Sequence, residues 1–201
     1  KISYNTIPVG SQWGTAYTEG NDNIDYYDVF YKNRTTAQEH NLSINGGSEN
    51  MSYFVSGNFV KEDGLLNWNL DGPKRYNVFG KIENQVSKIL NIKYSTRFTR
   101  EDYHQPRIMS DEIFQYFGQY LWPVSPLYDP NGFLFNDTTL RFKEGGQNKY
   151  SNTTSSHQFG VILEPIKGWR LSGDLNYRYR AYFTHGEVKE ICQMSVGGIT
   201  P

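Results

Sequence analysis

Ile89-Leu90-Asn91-Ile92-Lys93-Tyr94-Ser95-Thr96-Arg97-Phe98-Thr99-Arg100 carries the pattern that decides the fold. Successive side chains of an extended chain point to opposite faces, so Leu90, Ile92, Tyr94, Thr96 and Phe98 fall on one side. Asn91, Lys93, Ser95, Arg97 and Thr99 fall on the other. Trp169 to Tyr182 repeats the alternation, with Trp169, Leu171, Gly173, Leu175, Tyr177, Tyr179 and Ala181 opposite Arg170, Ser172, Asp174, Asn176, Arg178 and Arg180. Tyr76, Val78, Gly80 and Ile82 against Asn77, Lys81 and Glu83 form a third case, broken only by Phe79 on the polar side. Further strands are predicted at His40 to Asn45, Tyr53 to Val60 and His157 to Glu164, with an opening strand at Lys1 to Thr6. Soluble sandwich strands run about five or six residues, whereas these runs reach the roughly 9–11 residues with which a tilted strand crosses a bilayer.

The connections alternate in length. Short turns are predicted at Gly46-Gly47-Ser48-Glu49, around Ser87-Lys88 and at Pro165-Ile166-Lys167-Gly168. Long connections run from Thr6 to Gln38, from Lys61 to Lys74 and from Glu101 to Ser156. Tight turns on one edge and large loops on the other are the asymmetry of an outer-membrane barrel. In the longest connection Ser110 is placed as the N-cap of a short helix reaching about Gln119, with Asp111 and Glu112 in its first turn and Pro123 beyond its end. Pro126-Leu127-Tyr128-Asp129-Pro130-Asn131-Gly132 reads as consecutive turns.

Composition agrees with a wall that is wet on one side and apolar on the other. Aromatic residues make up 16% of the chain, with sixteen Tyr and twelve Phe, while all hydrophobic residues together reach 37%. Mean hydropathy is -0.68. The net charge of -1, with scattered basic residues, gives no footprint for nucleic acid. The lone Cys192 excludes an intramolecular disulfide. No run approaches a spanning helix, although a barrel needs none. The chain opens at Lys1 without a leader, and both ends have the character of cuts, so we expect targeting signals and further strands to lie outside it.

The run His40-Asn41-Leu42-Ser43-Ile44-Asn45-Gly46-Gly47-Ser48-Glu49, followed by Tyr53, Ser56 and Glu62-Asp63-Gly64, resembles the early barrel of SusC/RagA-type TonB-dependent transporters. Asp25-Tyr26-Tyr27-Asp28-Val29-Phe30, Arg75-Tyr76-Asn77 and Pro126-Leu127-Tyr128-Asp129-Pro130-Asn131-Gly132 resemble other segments of that family. The resemblance implies an all-β fold, in which residues 1–201 form antiparallel strands of part of a large transmembrane barrel. In the family that barrel has 22 strands, long extracellular loops and an N-terminal plug, and it sits in the outer membrane. The resemblance further implies import of glycans or peptides, a SusD-like surface lipoprotein as partner, and coupling to TonB through an N-terminal part absent from this chain.

If the polar faces line a lumen, Lys93, Arg97, Arg170, Asp174, Arg178 and Arg180, with Asn176, point inward to meet a plug or a passing solute. Polar lumens are also required for hydration alone. In the long loop Trp122, Tyr128, Asp129 and Asn131 are the candidate substrate contacts, beside Phe133, Phe135 and Asn136, because aromatic faces with nearby amides and carboxylates hold sugar rings or extended peptides. The same aromatics also suit packing of the loop on itself or on a lid. Asp129-Pro130-Asn131-Gly132 lacks the further acids of a calcium loop and is read as a turn. His40, His104, His157 and His185 lie at no ligating spacing, and no metal or cofactor is expected. No catalytic motif is present in the spacing, so an enzyme is not expected. The competing architecture is a soluble β-sandwich that binds carbohydrate, in which the apolar faces would meet each other rather than lipid. A β-rich hydrolase ranks third.

Overall fold

In the computed structural model the described residues are 12–13, 20–68, 71–109, 111–119, 121–129, 132–135, 137–191, 193–195 and 198–200. The strand expected at Lys1 to Thr6, together with Asn131, Asn136 and Cys192, lies outside them. The elements in chain order are β1 (Gln12–Trp13), β2 (Gly20–Asn21), α1 (Tyr26–Phe30), β3 (Ala37–Gly47), β4 (Met51–Glu62), β5 (Gly72–Ser87), β6 (Leu90–Pro106), α2 (Asp111–Gln119), α3 (Asp137–Glu144), β7 (Gln147–Ile166), β8 (Trp169–Gly186), β9 (Gln193–Ser195) and β10 (Gly198–Thr200).

Six of these strands form one open antiparallel sheet in sequence order, β3-β4-β5-β6-β7-β8, while β1 with β2 and β9 with β10 make small ribbons. The register fixes what each face carries, because directly opposed residues share a side. Leu42 lies opposite Gly57, Val55 opposite Gly80, Phe59 opposite Tyr76, Val78 opposite Phe98, Tyr94 opposite Phe159 and Leu163 opposite Leu171. One face is therefore an apolar band running across every strand. The other face carries Asn41 opposite Asn58, Asn58 opposite Asn77, Asn77 opposite Thr99, Thr99 opposite Thr154 and Thr154 opposite Arg180.

The apolar band is exposed. Leu42 is 70%, Leu175 69% and Trp169 67% accessible. Among the described residues no second sheet covers it, so the two-layer sandwich lacks its second layer. Several strands also exceed a bilayer's requirement: β7 has 20 residues and β8 has 18, against roughly 9–11 for a tilted crossing. Their surplus lies at the ends remote from the tight turns, where the outward side chains become Lys61, Lys74, Arg100, His104, Lys149 and His185.

The buried core sits in the loops at those remote ends rather than in the sheet. Tyr26, Phe30, Leu66, Phe117, Leu121, Leu127, Leu134, Leu140 and Phe142 cluster there, drawn from the segment before β3, the β4-β5 loop and the β6-β7 connection. Phe30 is its centre, stacked on Phe117 at 4.2 Å and edge-on to Phe142 at 5.1 Å and Trp68 at 5.2 Å. Backbone bonds from Ile24 to Pro123, from Lys32 to Leu65 and from Asn67 to Phe30 tie the three segments together. α1 is held at both ends: the Asp25 carboxylate accepts from the Tyr27 amide, and the Asn67 side-chain amide donates to the Asp28 and Val29 carbonyls.

The long connections are thus shorter and more structured than the sequence suggests. β6 and β7 extend to Pro106 and from Gln147, which leaves residues 107–146 as the loop, and α3 joins the expected α2 inside it.

Candidate functional site: the hydrophilic face and the loop cap

All six charged residues expected to share a face do so. Lys93 lies opposite Gly160, and Gly160 lies opposite Asp174. Arg97 lies opposite Ser156, which lies opposite Arg178. Arg180 follows one step along the same side of β8, and Arg170 lies nearer the tight turn.

These charges are not equally satisfied. Lys93 Nζ sits 3.0 Å from Glu83, and Arg75 sits 3.8 Å from Glu101. Arg97, Arg178 and Arg180 have no carboxylate partner among the described residues. Arg97 instead lies over the Phe79 ring, 5.3 Å from its centroid, and Phe79 in turn packs against Phe54 at 6.0 Å. A cation over an aromatic face is attracted by the ring quadrupole, which holds the guanidinium in place without neutralising it. Around this row lies a recess of about 600 Å³ lined by Ser95, Arg97, Thr154, Ser156, Asn176 and Arg178, among others. Its lining includes hydroxyls, amides and guanidinium groups but no acid.

Towards the loop cap the same face carries a ladder of tyrosines on three adjacent strands. Tyr103 stacks with Tyr150 at 6.2 Å, Tyr150 stacks with Tyr182 at 6.5 Å, and Gln105 donates to the Tyr150 hydroxyl at 3.2 Å. Neither this ladder nor the Phe54–Phe79 pair was singled out from the sequence. The signal was present as aromatics out of phase with their strands' apolar columns, but only the register shows that they meet.

On the cap, each exposed aromatic stands beside a buried leucine. Leu121, Leu127 and Leu134 enter the core, while Trp122, Tyr128 and Phe133 remain 62%, 42% and 49% accessible. The core thus pins the backbone of each aromatic and leaves its ring outward, except that the Trp122 indole donates to the Gln119 carbonyl at 2.7 Å. Asp129 turns back on its own loop: its carboxylate accepts from the Phe133 amide at 2.9 Å, and its backbone amide donates to the Phe133 carbonyl. Gly132 closes this turn with a φ of 88°, which favours glycine. The structure therefore gives Asp129 a turn-forming role, and Asn131 lies outside the described residues.

Buried Tyr26 anchors the cap from the N-terminal side, its hydroxyl donating to the Ser125 carbonyl at 3.0 Å. Burial, with the nearby Asp22 carboxylate, pushes this phenol up to about 12. In the β4-β5 loop, burial also raises the Asp71 carboxyl. Among the described residues no cluster of His, Cys, Asp or Glu comes together to hold a metal ion.

No family model matches the chain. A 77-residue stretch, 38% of the chain, is 30% identical to the TonB-dependent receptor P3 of Formosa agariphila, of which it covers 7%. Among solved structures, the RagAB peptide importer in its closed-closed state superposes with a TM-score of 0.62 over 88% of this chain, at 16% identity. The chain spans only 21% of that solved chain. In fold the six-stranded antiparallel sheet resembles part of the barrel of that solved structure, and its order β3-β4-β5-β6-β7-β8 leaves both edges open among the described residues.

Proposed function

We propose that this chain is a stretch of the wall, with its extracellular loops, of an outer-membrane TonB-dependent importer. The observation that carries the reading is the segregation of the two faces over all six strands of the sheet. An exposed apolar band has a stable place against hydrocarbon, and the opposite face then borders an aqueous lumen. Both relatives carry names of the same kind, a receptor and an importer, which supports a transport role over an enzymatic one.

In this reading residues 1–201 belong to a partial barrel domain, and Lys93, Arg97, Arg170, Asp174, Arg178 and Arg180 face the lumen. Trp122 and Tyr128 on the cap contact an incoming glycan or peptide, or a SusD-like surface lipoprotein that closes over the mouth. TonB engages a plug in another part of the protein. A rigid cap with outward aromatics suits either contact, since rings held by a core lose little freedom on binding.

Two measurements test this on the full-length protein in its outer membrane. Single cysteines at Leu175 and Asn176, in a background free of other cysteines, should partition sharply: the first reached by a lipid-soluble maleimide, the second only by a small hydrophilic one. Equal labelling of both by the hydrophilic reagent would defeat the placement. Deletion of the gene should abolish growth on at least one glycan or peptide that the parent strain uses, and unchanged growth on all of them would defeat the transport role.

A further inference from the structure

We propose that the Arg97–Ser156–Arg178 row, with Arg180 beside it, is an anion-binding station for carboxylate-bearing solutes passing the hydrophilic face. This deepens the importer reading and rests on it. Arg97 and Arg178 flank Ser156 from the two neighbouring strands, which sets their backbones roughly 9.5 Å apart. Side chains of arginine length reach across that spacing, so both can bind one group held above the serine hydroxyl. Arginine presents a planar fork of donors that matches a carboxylate, and charge-assisted bonds are the strong ones.

Three observations separate this row from an ordinary hydrated wall. Arg75, Lys81 and Lys93 on the same face have carboxylate partners, whereas Arg97, Arg178 and Arg180, like Arg170 nearer the tight turn, have none among the described residues, and of these four only Arg97, Arg178 and Arg180 stand close together. Like charges on neighbouring positions repel unless an anion lies between them. Phe79, opposite Arg97 on β5, holds the Arg97 guanidinium 5.3 Å from its ring centroid, so that group has a defined position before any solute arrives. The recess of about 600 Å³ around the row falls within the size of small-molecule sites and has no acid in its lining.

The tyrosine ladder Tyr103–Tyr150–Tyr182 precedes this row on the path from the loop cap. On β8 the same-face order is Tyr182, Arg180, Arg178. A solute descending that side meets aromatic faces and phenol hydroxyls first and guanidinium groups next. That order favours molecules with ring or apolar faces that also bear carboxylates over purely neutral ones.

The test uses crystals of the full-length importer, with bromide as the anion probe and citrate as the carboxylate competitor. We expect anomalous density for bromide between Arg97 and Arg178. Citrate should displace it, and the R97Q/R178Q double variant should lose it, with citrate binding in solution weakened at least tenfold. R97K, which keeps charge without the fork, should retain bromide and weaken citrate.

An aspartate or glutamate from another part of the protein within about 4 Å of both guanidinium groups would overturn the proposal and make the row a structural latch. Bromide that citrate does not displace would be an adventitious ion only and would overturn it as well. An importer that transports normally with an empty station refutes the station alone. An occupied station in a protein that transports nothing refutes the importer reading instead.

Discussion

Replacing Phe30 by alanine should open the loop cap while leaving the sheet intact. Phe30 is 1% accessible and packs against four other rings: Phe117 at 4.2 Å, Phe142 at 5.1 Å, Trp68 at 5.2 Å and Tyr26 at 6.1 Å. Truncating a buried phenylalanine costs about 3–5 kcal/mol from lost transfer energy and the cavity left behind. The upper part of that range applies, because the neighbours belong to three chain segments that the strands hold apart and that cannot all collapse inward. At about 1.4 kcal/mol per tenfold, the cap's opening equilibrium rises by roughly three to three and a half orders of magnitude. α1 has only 5 residues and cannot persist without tertiary packing. Hydrogen exchange by mass spectrometry on the full-length protein reads the effect. Peptides covering 111–119 and 137–144 should exchange much faster than in the parent, while those inside β5, β6 and β7 keep their protection. Tyr27→Ala is the control, since Tyr27 is 65% exposed on the same helix. Unchanged exchange in the cap, or equal loss of protection in the strands, would refute the idea of a separate core.

Other substitutions probe the remaining features. Leu175→Arg on the apolar face should cost about 2–4 kcal/mol if it lies near the bilayer midplane, and Asn176→Arg next to it should be near neutral; urea unfolding from lipid vesicles measures both. Gly72→Ala should destabilise the β4-β5 loop by at least about 1 kcal/mol, because Gly72 has a φ of 117° and an added Cβ would strike the Glu62 carbonyl oxygen; proteolytic nicking between β4 and β5 is the readout. Tyr26→Phe should loosen the cap by about 1 kcal/mol through the lost hydrogen bond to Ser125. The phenol of Tyr26 is raised to about 12, so folding favours its neutral form; that stabilisation is fully present below the ordinary tyrosine range and is lost as pH rises through about 12. A spectrophotometric titration should find Tyr26 ionising late, as the signal lost in Tyr26→Phe, and that signal should move to lower pH in Phe30→Ala.

The sheet was legible because its signal is local. Strand alternation needs only a side chain and its next neighbours, so Leu90 to Phe98 and Trp169 to Tyr179 declare themselves without knowledge of their partners. The tight turns followed from the same pattern, since alternation stops at them. The cap was not legible in this way. Its core joins Tyr26, Leu66, Phe117 and Phe142, residues far apart in sequence, one in the β4-β5 loop and the others on short helices whose apolar positions are too few to fix a period. α3, with Asp137 at its start and Arg141 pairing back to it at 2.7 Å, has local helix signals, but Thr138 and Thr139 mask them. Its reason to exist is the burial of Leu140 and Phe142 against the other segments. The strand extensions beyond Arg100 and before His157 were not legible because Glu101 to Gln105 and Asn148 to Ser156 are polar apart from Tyr103 and Tyr150, which leaves no apolar column to alternate with.

Phe79 shows how an apparent flaw in a pattern separates two physical cases. A phenylalanine on the polar side could mean that β5 slips by one residue, or that one position departs from its neighbours. A slip would turn every other side chain of the strand to the wrong face. Instead Val78 stays opposite Gly57 and Phe98, and Lys81 stays opposite Phe54 and Ser95, so the register holds and the exception is local. Phe79 gains contacts with Phe54 and with the Arg97 guanidinium there. Removing the ring in Phe79→Ser would restore the alternation yet free Arg97. The sequence would then look more regular while the most clearly positioned cation of the hydrophilic face lost its support.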